Sequence, residues 1–453
     1  MLERLQFTNF KTWESVDMTL GPVTALFGTN SSGKTSILQF LLLLKQTKDA
    51  TDRSIALELN GDLVKLGTIA DAIHRRQEER SIEFRLDLAM PSELTLIDPE
   101  ASRRTIMARS QRLTIESEIS VRQRAPFGRM LRYRLGSLAF ALARKKNGDD
   151  TEFDLHEETQ GFHLRRTMGR KWPLPGPIKS YAFPDQARTY FQNTSFLSDL
   201  ESAYESAIDR IYYLGPLRDY PYRDYLWARS RPSDVGQKGE RAIDAILAAT
   251  DAGWKGNLKP KARLKSFQEI IAYWLKEMGL IHSFAVTEIA QGSNRWQARL
   301  QTRPGATEVL LTDVGFGVSQ VLPVITLLYY VPEGSTVILE QPEIHLHPSA
   351  QAHLADVILN VAQHRKVQVI VESHSEHLLL RLQRRIAEDE KGATGRDVKL
   401  YFCDLVDGRS SMVPLELDLW GQILNWPRNF MGDAFGETAA AERARLQRMR
   451  KTA

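Results

Sequence analysis

The sequence predicts an α/β fold in which a parallel sheet carries a phosphate-binding loop. Three observations predict it. The apolar run Val23–Phe27 enters a glycine-rich turn that opens an apolar helix; strand and helix patterns alternate from Val318 to Leu405; and a second apolar strand, from Ser335 to Leu339, ends on an acid.

The first thirty residues read as strand, turn and strand, with Leu5–Phe10 and Val16–Leu20 ahead of Val23–Phe27. After Lys34, apolar Ile37, Leu38, Leu41 and Leu44 recur at helical spacing, and Phe40, Leu42 and Leu43 make that helix apolar nearly all round. Such a helix belongs under a sheet. From Ser81 to Arg166 the pattern changes to short alternating runs such as Ile82–Leu86 and Leu113–Glu116, as in an antiparallel meander with one wet face. Helical spacing returns over Leu200–Leu214 and Arg241–Leu280, and a hairpin is expected around Gly292-Ser293-Asn294. The expected division is a first part of the head over 1–180, a helical insertion over 181–282, a second part over 283–405, and an extension over 406–453 with a basic helical tail from Arg443 to Lys451. The two parts of the head must then share one sheet.

Over 453 residues, 42% hydrophobic and 26% charged, the composition is that of an ordinary globular protein. The longest apolar runs, Ile37–Leu44 and Val321–Val331, fall short of the ~20 residues a bilayer needs. The opening Met1–Leu5 does not look like a secretory signal, and one cysteine, Cys403, excludes an internal disulfide framework. A cytoplasmic protein with no membrane partner is the expectation. A formal net charge of +4 permits nucleic-acid contact without requiring it.

Gly28-Thr29-Asn30-Ser31-Ser32-Gly33-Lys34-Thr35 fits the pattern G-x-x-x-x-G-K-[ST] in the strand-to-helix setting that the pattern requires. Glycines let backbone N–H groups curl around phosphates, the helix N-terminus adds positive potential, Lys34 reaches the outer phosphates and Thr35 offers its hydroxyl to Mg²⁺. Ser36 completes the binding stretch. The cofactors implied are ATP and Mg²⁺.

At the end of the second apolar strand lies Glu340-Gln341-Pro342-Glu343, where Glu340 is the natural Mg²⁺ partner. Upstream, Gly315-Phe316-Gly317-Val318-Ser319-Gln320 places two glycines and a serine at a helix N-terminus, which makes a second phosphate cradle. Because the first cradle already serves this chain's nucleotide, Gly315, Gly317, Ser319 and Gln320 are expected to face the γ-phosphate of a partner copy. A third strand, Val367–Val371, leads to Glu372-Ser373-His374-Ser375, where His374 can hydrogen-bond a γ-phosphate. Glu343, His345 and His347 lack the further cysteine or histidine that a zinc site would need.

These stations, together with Asn9-Phe10-Lys11 and His345–Pro348, resemble the ABC-type ATPase heads of SMC and RecF proteins, and more closely the head of the overcoming-lysogenization-defect (OLD) family. The resemblance implies that Gly28–Thr35 is Walker A, Gly315–Gln320 a degenerate signature, Glu340-Gln341 the Walker B end, His345–Pro348 the D-loop and His374 the switch histidine. Tyr213–Arg218 and Asn425-Trp426-Pro427 are similar to segments of related bacterial ATPases, without a chemical role that the sequence assigns. Two departures stand out. The signature lacks the Leu-Ser-Gly-Gly core of transporters, and Gln341 stands where a water-activating glutamate is usual, although a carboxamide cannot accept a proton as general base. Glu343, just beyond Pro342, is then the preferred replacement base. OLD proteins also carry a nuclease domain, for which fewer than seventy residues after Arg385 leave no room, so a nuclease is expected to be a separate chain.

The function expected is an ATPase whose nucleotide closes a homodimer or higher oligomer and thereby controls a separate effector in anti-phage defence. A DNA-repair clamp is the second reading, resting on the basic meander with Arg103, Arg104, Arg109, Arg112, Arg122, Arg124, Arg129, Arg132 and Arg134. A third is an ATP-binding scaffold with negligible hydrolysis.

Overall fold

The structure is a computed structural model; it describes residues 1–99, 105–145, 152–159, 162–169, 172–390, 392–427, 440–445 and 448. Three strands open the chain, β1 (Leu2–Phe10), β2 (Trp13–Thr19) and β3 (Val23–Gly28), followed by α1 (Lys34–Asp49). The meander is β4 (Ile82–Ile97), β5 (Ile106–Arg122), β6 (Ala125–Leu135), β7 (Leu138–Arg144) and β8 (Phe153–Glu157). Then come α2 (Leu197–Asp209), β9 (Ile211–Leu214), α3 (Ala242–Asp251), α4 (Phe267–Glu277) and the hairpin β10 (Ser283–Glu288) and β11 (Arg295–Gln301). The last third holds α5 (Phe316–Tyr330), β12 (Thr336–Glu340), α6 (Pro348–Arg365), β13 (Gln368–Glu372), α7 (Glu376–Glu388), β14 (Val398–Val406) and β15 (Arg409–Pro414).

One sheet runs β15-β14-β3-β13-β12-β9, with every pair parallel except β14 with β15. Successive side chains of its strands point to opposite faces. Ala25, Phe27, Val337, Leu339, Val369 and Val371 pack with α3 to α7, whereas Leu26, Ile338 and Ile370 pack with α1, α2 and a seven-stranded antiparallel sheet, β2-β1-β4-β5-β6-β7-β8. A sheet covered on both faces explains why its strands read as continuous apolar runs. It also explains the apolar middle of α1, Ile37–Leu44, which is wedged between the two sheets. The expected α/β fold with an antiparallel β-subdomain is the one observed.

Two segments differ from the expected division. Residues 211–214, inside the stretch read as a helical insertion, form an edge strand of the parallel sheet. The helical spacing read over Leu200–Leu214 belongs to α2, which ends at Asp209, just before the strand. Residues 409–414, read as part of an extension, add β15 to the other edge. Of the basic tail, 443–445 and 448 are helical, and the rest lies outside the described residues.

Among the described residues, four of the nine arginines named for the meander are paired with neighbouring acids. Arg109 pairs with Glu93 at 3.5 Å, Arg112 with Glu3 at 3.1 Å, Arg129 with Glu118 at 3.3 Å, and Arg132 with Glu116 at 2.7 Å and Glu158 at 2.8 Å. Arg122 lies over the Phe127 ring. Arg103 and Arg104 lie outside the described residues.

Candidate nucleotide site

Parallel strands present their C-terminal ends on one edge of a sheet, and ligands of open α/β sheets bind there. On that edge β3 delivers Gly28, β13 delivers Glu372, β12 delivers Glu340 and β9 delivers Leu214 in adjacent rows. The register pairs Glu340 directly with Glu372, so the two carboxylates stand side by side.

The turn between β3 and α1 is built for close approach. Gly28 has φ 144°, and a Cβ there would lie 1.9 Å from the Cys403 carbonyl oxygen on β14. Gly33 has φ 90°, and a Cβ there would meet Ser410 Oγ at 2.5 Å and Trp13 Nε1 at 2.7 Å, while the Trp13 indole donates to the Gly33 carbonyl at 2.9 Å. Ser31 is held at φ 61°, a left-handed conformation that a serine rarely adopts. Lys34 is buried, and its ammonium donates to the carbonyls of Thr29 at 2.7 Å and Gly28 at 3.1 Å. Burial lowers its pKa. Inside the loop, then, is a desolvated cation whose hydrogen bonds among the described residues go to loop carbonyls and the Ser32 hydroxyl.

A cavity of about 200 Å³ lies over this loop, lined by residues of the loop and α1 start, by Thr12, and by Gln341, Glu372 and His374. A second cavity of about 570 Å³ shares Asn30 and His374 with it and extends to Pro348, Gln351 and Glu376. Asn30, Ser31, Ser32, Gly33, Lys34, Thr35, Ser36, Gln341 and His374 are therefore brought together as expected. Burial lowers the His374 pKa and favours the neutral ring.

Glu372 is the site residue that sequence reading missed. Its carboxylate accepts from Thr35 Oγ1 at 2.8 and 3.0 Å, and burial pushes its pKa up to about 7. The signal was available: the third apolar strand, Val367–Val371, also runs into an acid but was read only for the histidine behind it. Glu340 accepts from the Tyr213 hydroxyl at 2.7 Å, which gives the Tyr213–Arg218 segment its chemistry. Burial raises the Glu340 pKa.

Gln341 and Glu343 part company. Gln341 sits at φ 44°, its backbone N–H donates to the Glu372 carbonyl at 2.9 Å, and it lines the loop cavity. Glu343 turns inward and is buried, outside the residues lining either cavity. Its Oε1 accepts from Ser373 Oγ at 2.8 Å and from the His374 backbone at 2.7 Å, which ties the turn after β12 to the turn after β13. Beside both lies Arg218, also buried, with burial lowering its guanidinium to about 10.

The signature residues lie elsewhere. Gly315 caps α5, and Ser319 Oγ is spent on the Phe316 carbonyl at 2.9 Å; neither they nor Gly317 and Gln320 line the two loop cavities. Gly315 is open, with nothing within 4 Å of an added Cβ, and Phe316 is exposed between Tyr220 and His345. His347 caps α6 with Pro348 in the first turn.

The donor set fits Mg²⁺ with nucleotide. Thr35, Glu340 and Glu372 are hard oxygen donors, and few carboxylates beside a phosphate cradle is the usual way a protein holds that ion. Among the described residues no group of three or more His, Cys, Asp or Glu is placed to hold a metal by itself. Among them, too, no helix is long and apolar enough to cross a membrane.

A glycine-cradled loop at the C-terminal edge of a parallel sheet, facing two strand-end carboxylates, defines a P-loop nucleotide-binding protein. The chain belongs to the ATPase family described as "AAA domain, putative AbiEii toxin, Type IV TA system", whose profile matches residues 23–381. A second profile, described as "Protein of unknown function (DUF3696)", matches residues 394–440. The chain is similar to an OLD nuclease of Thermus scotoductus (strain ATCC 700910 / SA-01), 25% identical over 393 residues that make up 83% of this chain and 59% of the relative. It thus spans about three fifths of that relative's length. Solved SMC head domains, one bound to the C-winged helix domain of ScpA and one from Thermotoga maritima, align at TM-scores of 0.43 and 0.40 with 12% identity. They cover 92% of this chain and 98% and 99% of theirs.

Proposed function

We propose that the chain binds ATP with Mg²⁺ at the loop cavity, hydrolyses it slowly, and works as a homodimer or higher oligomer whose nucleotide-closed form controls a separate effector. The observation that carries this reading is the separation of the two cradles. The chain's own loop cavity has Lys34, Gln341, Glu372 and His374 on its walls but no signature residue, while the second cradle, at Gly315, opens to solvent beside exposed Phe316. A second copy would bring one to the other.

Within the site, Lys34 holds the outer phosphates, and Thr35, Glu340 and Glu372 hold Mg²⁺, which supplies charge neutralisation of the phosphates. Gln341 orients a water without taking its proton, so turnover is slow. Glu343 acts as a positioning residue that keeps His374 beside the cavity. The relative's name makes a nuclease the favoured effector class, and the resemblance to the OLD family makes anti-phage defence the favoured setting. The ion pairs that occupy Arg109, Arg112, Arg129 and Arg132 favour this reading over a DNA clamp.

Sedimentation of the purified chain with Mg²⁺ and a non-hydrolysable ATP analogue, against ADP, tests the proposal. The expected result is a dimer or larger species with the analogue alone. A monomer in both would overturn the switch reading.

A further inference from the structure

Arg218 lies in the segment that follows β9, one strand beyond Glu340 on the edge that carries the loop cavity. It is 7% exposed, whereas Leu217 before it is 77% exposed and Tyr220 after it 70% exposed. A guanidinium in a solvent-facing segment has water at hand, so its burial is a constraint imposed by the fold. Yet its Nε and Nη1 are buried without a hydrogen-bond partner, and Nη2 has only a long contact of 3.4 Å to the Glu340 carbonyl.

Leaving buried donors unmade is costly, the more so on a charged group. A structural role would pair Arg218 with the acid nearest in charge, Glu343. That acid instead spends Oε1 on Ser373 and His374, and its Oε2 is itself without a partner. Arg218 and Glu343 attract each other through space, yet each keeps buried hydrogen-bonding atoms without a partner, which describes a site arranged for something else. A planar fork of N–H groups matches the oxygens of an oxyanion, which a lysine ammonium cannot imitate. Arg218 itself lines neither loop cavity; the carbonyl under Nη2 belongs to Glu340, immediately before Gln341, which does line the loop cavity, so a bound phosphate meets the guanidinium only once the Gln341 turn gives way.

We propose that Arg218 reads the terminal phosphoryl group of the bound nucleotide, with its free Nε and Nη1 as donors, so that the chain discriminates a nucleoside triphosphate from a diphosphate in its own site. This rests on the reading of the loop cavity as the nucleotide site. It adds a residue that belongs to neither the glycine-rich loop nor the strand-end acids. In the nucleotide-free chain the orphaned guanidinium destabilises, and a triphosphate relieves it.

The test is binding, with no turnover involved: affinities of AMP-PNP and of ADP, each with Mg²⁺, together with the melting temperature of the nucleotide-free protein. Arg218→Met should bind ADP as the wild type does and lose about tenfold to a hundredfold in preference for AMP-PNP, the worth of charge-assisted hydrogen bonds. Its nucleotide-free melting temperature should hold or rise, because an unpaired buried charge has been removed. Arg218→Lys keeps the charge without the fork and should fall between the two; if the Met variant does not fold, the Lys variant decides. An unchanged AMP-PNP to ADP ratio in a folded variant would overturn the proposal and return Arg218 to a packing role. A wild-type chain that binds neither nucleotide would overturn the nucleotide-site reading as well.

Discussion

Thr35 and Glu372, 337 residues apart in the chain, share one hydrogen-bonded pair in which the Thr35 hydroxyl donates to the Glu372 carboxylate at 2.8 and 3.0 Å. The first residue after the loop lysine and the last residue of β13 are thus already in register for a common ion. Glu372→Gln keeps a partner for Thr35 but removes a charge. We expect the Mg²⁺ dependence of nucleotide-analogue binding to weaken by at least the roughly tenfold to hundredfold that even outer partners of metal sites contribute. A magnesium titration checks it; an unchanged midpoint would remove Glu372 from the site.

The same carboxyl predicts a pH effect on stability. With its pKa raised to about 7 by burial, the folded state holds a proton that the unfolded chain releases near the ordinary value of 4.5. The folded state therefore binds more protons between these values, so the stability from this group is complete below 4.5 and is lost as pH rises through 7. In chelator and without nucleotide, the melting temperature of wild type relative to Glu372→Gln should fall as pH increases from 5 to 8. A difference that is flat over that range would contradict the assignment.

Gln341 and Glu343 make opposite predictions. If Gln341 is the residue facing the water, Gln341→Glu should raise steady-state turnover, up to the ~10²–10⁴-fold that a positioned base contributes. Glu343→Gln retains an acceptor for Ser373 and His374 and should change turnover only a few-fold. Glu343→Ala strands both donors and should destabilise by about 1–3 kcal/mol for each buried group left unsatisfied. Near-complete loss of hydrolysis in Glu343→Gln with analogue still bound would make Glu343 the base after all.

Gly28→Ala puts a methyl group 1.9 Å from the Cys403 carbonyl, at a backbone φ of 144°. The strain is about 1–3 kcal/mol from the backbone and about as much again from the clash. A lowered melting temperature together with lost nucleotide binding is expected. Wild-type behaviour in both would mean that the loop is not built as described.

How much of this was legible in the sequence depends on what each residue's role is made of. The loop from Gly28 to Thr35 was legible because its chemistry is local: turn, cradle and helix start are neighbours in the chain. The sheet strands were legible from continuous apolar runs. Glu372 was not read as a ligand, because its value comes from sitting beside Glu340 across two parallel strands, a relation of register that no local pattern carries. Tyr213 and Arg218 were hidden for the same reason, since β9 joins the sheet at its edge from within a helical stretch. The inward turn of Glu343 follows from Pro342 and the left-handed Gln341, which set the side chain's direction only in three dimensions. The arginine-rich meander shows the converse: composition was legible, but pairing with Glu3, Glu93, Glu116 and Glu118 depends on which strands are neighbours.

Complementation decides whether a working site takes its loop from one copy and its signature from another. Lys34→Ala removes the loop cation, and Gly317→Arg fills the start of α5, where an added Cβ already lies 3.4 Å from the His345 carbonyl. Each variant alone should show no ATP turnover. Mixed with subunit exchange, the intact loop of the Gly317→Arg chain meets the intact signature of the Lys34→Ala chain, and the account expects turnover to return to a fraction of wild type. No turnover in a mixture shown to contain heterodimers, or full turnover by Gly317→Arg alone, would contradict it.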